Sequence, residues 1–233
     1  MLLSDWTKSY PIIAGVIPRL PHERIAPKHE VTAAYRQELH SHGLDYKRFI
    51  TGRQVHGCEA HIVTLGDVTR DLVCDGLVTR DAMLGVGIVT ADCLPVLFFD
   101  GNATVVAAAH AGWRGLAGGI LEATVKAMSM PHNNIHAYIG AAICQDCFEV
   151  GPEVAEAFVE CDTHIKPGRG DRVHIDLYGI ATQQLQSLGI QNITQSSDCT
   201  RCLHGKYWSH RHHGWQRGNQ LTFIALPGGI YCE

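Results

Sequence analysis

No apolar run in this chain is long enough to cross a bilayer. Each is broken within about ten residues by Asp, Gly or Arg, where a spanning helix needs roughly 20, so no membrane association is expected. A basic stripe is also missing. Nineteen Lys and Arg against 23 Asp and Glu leave a net charge of −4 with histidine neutral, which argues against nucleic acid as a partner. The opening MLLSDWTKSY lacks a charged stretch followed by an apolar core. No export signal is therefore expected, and the chain reads as cytoplasmic. There is no G-x-G-x-x-G after a strand and no P-loop, which leaves dinucleotide and nucleoside-triphosphate cofactors without support. Repeats, low-complexity tracts and clear linkers are absent, so residues 1–233 read as one domain.

Histidine and cysteine, by contrast, are abundant. Fifteen His and nine Cys occur in 233 residues. In a chain without an export signal, that points to reduced thiols used for metal binding or catalysis rather than to a disulfide framework. Apolar content of 45% with 18% charged residues is ordinary for a globular enzyme.

The most organised stretch runs from Leu84 to Met130. An apolar strand leads through Thr90-Ala91-Asp92-Cys93 into a second strand, Leu94 to Phe99. Asp100-Gly101 reads as a two-residue hairpin turn. A third strand, Ala103 to Ala109, ends at His110. Gly112-Trp113-Arg114-Gly115 then opens a helix with Leu116, Ile120, Ala123, Ala127 and Met128 on its apolar face, ended by Pro131. Elsewhere the pattern predicts strands at 11–16, 50–55, 61–65, 135–139, 190–194 and 221–226. Helices are predicted at 29–39, from Pro152 to about Glu160, and from an Asp176 N-cap to Leu188. Residues 18–28 and 167–172 read as loops. The irregular alternation predicts a mixed α/β or α+β fold, a compact domain with mixed β-sheets layered with helices, and not a run of βαβ units.

Four constellations carry possible chemistry. His56, Cys93 and His110, all near strand ends, offer two imidazoles and a thiolate, a three-ligand set for zinc that leaves a fourth position open. The same set suits copper. Without a metal, Cys93 beside a histidine is a nucleophile–base pair. Asp92 is a candidate to orient one imidazole. The spacings match no generic zinc motif, and a buried structural Cys with two partly buried His remains an alternative. At Gly112–Gly115 a glycine-rich helix start with Arg114 suits phosphate or carboxylate, with Trp113 beside it to stack or to pack; a tight turn with solvated Arg114 is the other reading. Cys144-Gln-Asp-Cys147 and Cys199-Thr-Arg-Cys202 suggest a structural zinc, but the 51 residues between them (148–198) exceed ribbon spacing. They are read as unconnected free thiols. The run Ser209 to His213, with Arg211, is a candidate substrate or phosphate rim, or else a solvated loop.

The chain resembles the YfiH-type laccase-domain family, also called multicopper polyphenol oxidase-like. The resemblance rests on QVHG (54–57), TADCLPVLF (90–98), AAAHAGWRGLAGGI (107–120) and FEVGPEV (148–154), with looser matches at 174–185 and at Cys199-Thr200. It implies a compact YfiH-like, cysteine-hydrolase-like fold with a mixed sheet, and His56, Cys93 and His110 as metal ligands, usually for zinc. It also implies purine nucleoside phosphorolysis, with adenosine deaminase and methylthioadenosine phosphorylase activities in the same site. The small-molecule partners would be purine nucleosides and phosphate, with no obligate protein partner. Copper-dependent phenol oxidation is the older label and the alternative, and a cysteine-dependent amidase is another. The chain departs from the family at Gly15–Ala26, Gly140–Ile143, Ser209–His212 and Arg217–Asn219, segments expected to shape the substrate side of the cleft.

Overall fold

The computed structural model describes residues 1–20, 33–158 and 160–227. Its strands are β1 (Ile13–Ile17), β2 (Phe49–Thr51), β3 (Ala60–Ile62), β4 (Gly76–Thr79), β5 (Gly85–Thr90), β6 (Leu94–Asp100), β7 (Val106–Ala111), β8 (Ile135–Ile139), β9 (Glu149–Val150), β10 (Ile165–Pro167), β11 (Val173–Ile175), β12 (Asn192–Gln195) and β13 (Gln220–Ala225). The helices are α1 (Ser4–Ser9), α2 (Ala33–Ser41), α3 (Trp113–Ala117), α4 (Ile120–Met128), α5 (Pro152–Ala155), α6 (Leu177–Ser187) and α7 (His210–His213).

Three sheets result. A six-stranded sheet has the order β12-β8-β6-β7-β4-β3, a four-stranded sheet the order β1-β13-β5-β2, and a small sheet the order β10-β11-β9. The large sheets mix parallel and antiparallel neighbours: β3/β4, β8/β12 and β2/β5 are parallel, and the central pairs are antiparallel. This is the mixed α/β architecture that the alternation of patterns predicts.

Period-two alternation explains the layering. In β6, Leu94, Val96 and Phe98 join one apolar cluster, with Ile120, Leu121 and Val125 of α4 and Ile180 and Leu185 of α6. Leu97 and Phe99 point the other way, into a second cluster with Val86 and Ile88 of β5 and Ile224 of β13. The six-stranded sheet is therefore covered by helices on one face and by the four-stranded sheet on the other. That sheet's outer face carries Leu221 and Phe223, packed with Tyr35 and Leu39 of α2. Strands buried on both faces read as unbroken apolar runs, which is why LPVLFFD shows no alternation. The alanines of β7 (VAAAHA) keep the middle layer thin where α4 lies against it.

Several local expectations change. β6 and β7 do form a hairpin, but its loop is residues 101–105, not two residues. Buried Asp100 explains the length, because its carboxylate accepts from the backbone N–H groups of Asn102, Thr104 and Val105 and from the Thr104 hydroxyl. The single helix expected after Gly112 is broken at Gly118-Gly119 into α3 and α4, with Gly119 in the left-handed region at φ 87°. The helix starting at Pro152 gives way after one turn to a 3₁₀ turn, Glu156–Phe158. The helix predicted from His29 is seen as α2; residues 29–32, and residues 21–28 of the predicted loop, lie outside the described residues. Asp176 caps α6 as expected, accepting from Gly179 N–H at 3.1 Å. Among the described residues no helix is long and apolar enough to cross a membrane.

Candidate functional site

The register of the six-stranded sheet assembles the site. Gly76 of β4 pairs with Ala109 of β7, and His110 pairs with Pro95 of β6. Asp75, just before β4, is thereby set beside His110, and Cys93, just before β6, lies at the same end of the sheet. The His110 backbone N–H donates to the Asp75 carbonyl at 2.7 Å, and its Nδ1 lies 2.7 Å from Asp75 Oδ1. Both side chains are buried. With Nδ1 engaged, the free position on the ring is Nε2.

His56 arrives on the loop between β2 and β3. Gln54 anchors that loop by pairing its side-chain amide with both the N–H and the carbonyl of Val89 in β5, at 2.9 and 2.7 Å. The next three N–H groups, of Val55, His56 and Gly57, all donate to the Asp75 carboxylate at 2.8–3.1 Å. Such a concave array of successive amides holds an anion. It also accounts for His56 at φ 60°, a left-handed conformation that a non-glycine residue keeps only when its surroundings enforce it.

The three candidate ligands converge. One donor atom from each of His56, Cys93 and His110 lies within 4.8 Å of the others. The Cys93 Sγ–His56 Nε2 distance is 3.9 Å, and the two imidazole centroids are 4.8 Å apart. Gly112 closes the approach. A Cβ there would stand 2.9 Å from His56 Cδ2 and 3.1 Å from Cys93 Sγ. His56 is exposed, Cys93 half-buried and His110 3% exposed, so the group opens to solvent on the His56 side. Two imidazoles and a thiol at this separation are chemically a fit for a zinc or copper ion.

The electrostatics are those of an ion pair. Burial pushes the Cys93 thiol up, but His110 and His56 outweigh it and bring it down to about 6. Burial works against a charge on His110, yet Cys93 and Asp75 raise it to about 9. Burial likewise opposes ionisation of Asp75, and His110 with the Gly57 and Val55 amides holds it below the usual carboxylate range.

Asp92 does not take the place expected for it. Its carboxylate accepts from the Thr200 hydroxyl (2.6 Å), the Ser209 hydroxyl (3.1 Å) and the Arg211 backbone N–H (2.7 Å). The carboxylate that orients an imidazole is that of Asp75. Asp92 instead joins the Cys93 segment to residues 199–211. Arg211 also differs from expectation, since its guanidinium donates to the Cys147 and Glu149 carbonyls at 3.0 Å each. Its charge is thus turned toward the main chain. Arg114 is exposed, with its guanidinium carbon 4.0 Å from the centroid of half-buried Trp113. Of the two readings of Trp113, packing is the one seen, since the ring lies against the main apolar cluster and one face is covered by Arg114.

Two residues took on roles that the sequence reading had not assigned them, Arg217 having been named only as part of the segment Arg217–Asn219. Asp75 sat in an Asp-Gly pair between apolar runs, which has the look of a turn. Arg217 is half-buried and donates to His210 Nδ1 at 3.2 Å. Burial lowers its proton affinity, while the charges of Cys93 and Asp92 raise it, so it is a cation facing this end of the sheet. The four cysteines read as unconnected prove to be one cluster, with their sulfurs within 4.8 Å of one another.

Known proteins are similar to this chain in sequence and in fold. Residues 25–227 match the family described as "Multi-copper polyphenol oxidoreductase laccase". The chain is 35% identical over 201 residues to "Adenosine deaminase RL5" from an unknown prokaryotic organism, an alignment covering 78% of this chain and 76% of the relative. It is 38% identical over 176 residues to "Purine nucleoside phosphorylase YfiH" of Escherichia coli strain K12, covering 74% and 72%. The crystal structure of the hypothetical protein YfiH of Bacillus licheniformis superposes with a TM-score of 0.84 at 26% identity, over 97% of this chain and 95% of that one.

Proposed function

The chain belongs to the family described as multi-copper polyphenol oxidoreductase laccase, and from that membership we propose that it is a purine nucleoside phosphorylase. It would cleave adenosine, inosine or guanosine with phosphate, with adenosine deamination and methylthioadenosine phosphorolysis in the same site. The observation that carries this reading is the meeting of His56, Cys93 and His110 over the Asp75 carboxylate. The names of relatives at 35% and 38% identity agree with it.

In phosphorolysis a phosphate oxygen bonds to C1′ of the ribose as the bond to the purine nitrogen breaks. The base leaves with that electron pair and gains a proton. Developing charge must be met by groups already in place. Exposed Arg114 at the start of α3 and half-buried Arg217 are the cations available for phosphate at this end of the sheet. Asp75 fixes the His110 ring and the His56 loop together, so the groups facing the substrate cannot reorient independently. Asp92 acts as a positioning residue, holding segment 199–211 against the strand that delivers Cys93. His56, Cys93 and His110 would hold a zinc ion. Bound there, that ion would supply Lewis-acid polarisation of a phosphate oxygen for the phosphorolysis and activation of water for the deamination. A copper ion fits the same donors, but three ligands hold one ion, whereas a laccase needs several.

A second reading has its own support. Asp75, His110 and Cys93 form a carboxylate–imidazole–thiol series, with the thiol brought down to about 6. That is the arrangement of a cysteine nucleophile with an oriented base, and it favours a cysteine hydrolase that works without metal. One experiment separates the readings. Zinc-loaded and metal-stripped protein, and Cys93→Ala, are incubated with inosine or adenosine and phosphate, and free base and ribose-1-phosphate are measured. Phosphorolysis is expected from the zinc-loaded protein alone. No free base from it, where a control phosphorylase turns over, would sink the proposal.

A further inference from the structure

We propose that Cys144, Cys147, Cys199 and Cys202 hold a second, structural zinc ion in a tetrathiolate site separate from the His56, Cys93 and His110 group. The sequence sets these two C-x-x-C pairs 51 residues apart (148–198), but the fold removes the separation. Ala142 and Cys199 form a parallel bridge, and Thr200 N–H donates to the Ala142 carbonyl at 3.0 Å. Cys144 caps the 3₁₀ turn Gln145–Cys147 and Cys147 is its last residue, while Cys199 sits at the bridge and Cys202 on the turn that follows it. Each turn thus presents two sulfurs to the other.

The four sulfurs lie within 4.8 Å of one another, and Cys147 and Cys202 are 3.5 Å apart. Zinc bound tetrahedrally by four sulfurs at about 2.3 Å places those sulfurs roughly 3.8 Å apart, so sub-ångström shifts complete the shell. The surroundings are those a thiolate cluster requires. The backbone N–H groups of Cys144 and Cys202 point at Cys199 Sγ, at 3.3 and 3.5 Å. Arg201 extends a guanidinium nitrogen to 3.3 Å from Cys147 Sγ. Donors of this kind offset the excess negative charge of four thiolates around a divalent ion. Sulfur-only donors select zinc over hard cations. Cys147 and Cys199 are buried and Cys144 is half-buried, while Cys202 is exposed, which gives the ion a route in.

The site has a structural consequence. Thr200, Ser209 and Arg211, which engage the Asp92 carboxylate, lie on the segment that Cys199 and Cys202 anchor. An ion bridging the two turns would staple that segment to the loop after β8, and through Asp92 steady the start of β6 at Cys93.

The test uses the full chain, purified under reducing conditions without chelator. Elemental analysis and native mass spectrometry are expected to give two zinc ions per chain. Cys147→Ser and Cys202→Ser should each lose one and keep one, whereas Cys93→Ala should lose the other. Cobalt substitution should show the thiolate-to-cobalt charge-transfer bands of a tetrathiolate centre, present in Cys93→Ala and absent in Cys202→Ser. If the serine variants fail to fold, the unaltered protein still decides the matter. Titration with a mercurial thiol reagent should then release two zinc ions. No zinc retained in Cys93→Ala, iron in its place, parental zinc content in Cys202→Ser, or a Cys147–Cys202 disulfide in the non-reduced protein would each overturn the proposal, whereas one zinc per chain that Cys93→Ala retains would refute the ion proposed for His56, Cys93 and His110 instead.

Discussion

Replacing Asp75 by Asn tests the architecture of the site directly. The Asp75 carboxylate is 1% exposed and accepts four hydrogen bonds: Val55 and Gly57 N–H on Oδ2, and His56 N–H and the His110 ring on Oδ1. An asparagine amide has one oxygen and one NH2 group. Whichever way it turns, the NH2 faces two donors, so two charge-assisted hydrogen bonds are lost and a buried donor clash replaces them. At about 1.5–3 kcal/mol for each such bond, the loss is on the order of 3–6 kcal/mol. For a chain of this size that lowers the melting temperature by roughly 6–24 °C, at about 2–4 °C per kcal/mol. Loosening the carboxylate partner of His110, a ligand in the proposed zinc site, should also weaken zinc binding by about 10–100-fold. Calorimetry and zinc competition against a chromophoric chelator measure the two effects. The pH dependence adds a third. A carboxylate held below its usual range contributes stability that is present above about pH 4 and lost as the pH falls through its lowered folded value. The gap between parent and variant should therefore narrow in acid. A variant melting within 2 °C of the parent and binding zinc within about twofold of it would refute the reasoning.

Three further outcomes are expected. Gly112→Ala should reduce turnover at least tenfold while the melting temperature changes little, since its Cβ would meet His56 Cδ2 at 2.9 Å and Cys93 Sγ at 3.1 Å; steady-state kinetics with a thermal melt checks this. In metal-stripped protein Cys93 should be alkylated by iodoacetamide at neutral pH, with a midpoint near 6, whereas buried Cys74, its thiol pushed up to about 12 by burial and by nearby Asp75, should stay unmodified. Peptide mapping across a pH series reads both. Thr200→Val removes the hydroxyl 2.6 Å from the buried Asp92 carboxylate, and denaturant titration should show a loss of about 1.5–3 kcal/mol.

What the sequence made legible depended on distance along the chain. Cys93 and His110 flank a hairpin, so their neighbourhood follows from two adjacent strands, and the apolar runs around them mark it. His56 entered by its chemical type and by resemblance. Asp75 could not be found this way, because what makes it the partner of His110 is the pairing of Gly76 with Ala109, a fact of register between β4 and β7, and an Asp-Gly pair gives no sign of that. The four-cysteine cluster failed for the same reason. Its halves are joined by a bridge at Ala142 and Cys199, and spacing rules for metal motifs describe local ribbons. The hairpin loop was misjudged because Asp100 carries no local mark that its carboxylate will gather three backbone amides and so stretch two turn residues into five.

Asp92 shows why the loop segments packed around it matter to the site they surround. It sits at φ 89°, a left-handed conformation costly for a non-glycine residue, and it stays there because the Thr200 and Ser209 hydroxyls and the Arg211 N–H hold its carboxylate. Its own carbonyl accepts from Ile143 N–H at 3.0 Å. Two segments, Gly140–Ile143 and Ser209–His212, thus grip the one residue that precedes Cys93. A substitution in either reaches the thiol through a single peptide unit. Changes there should alter turnover as well as substrate choice, because the backbone strain at Asp92 and the position of Cys93 are set by the same contacts.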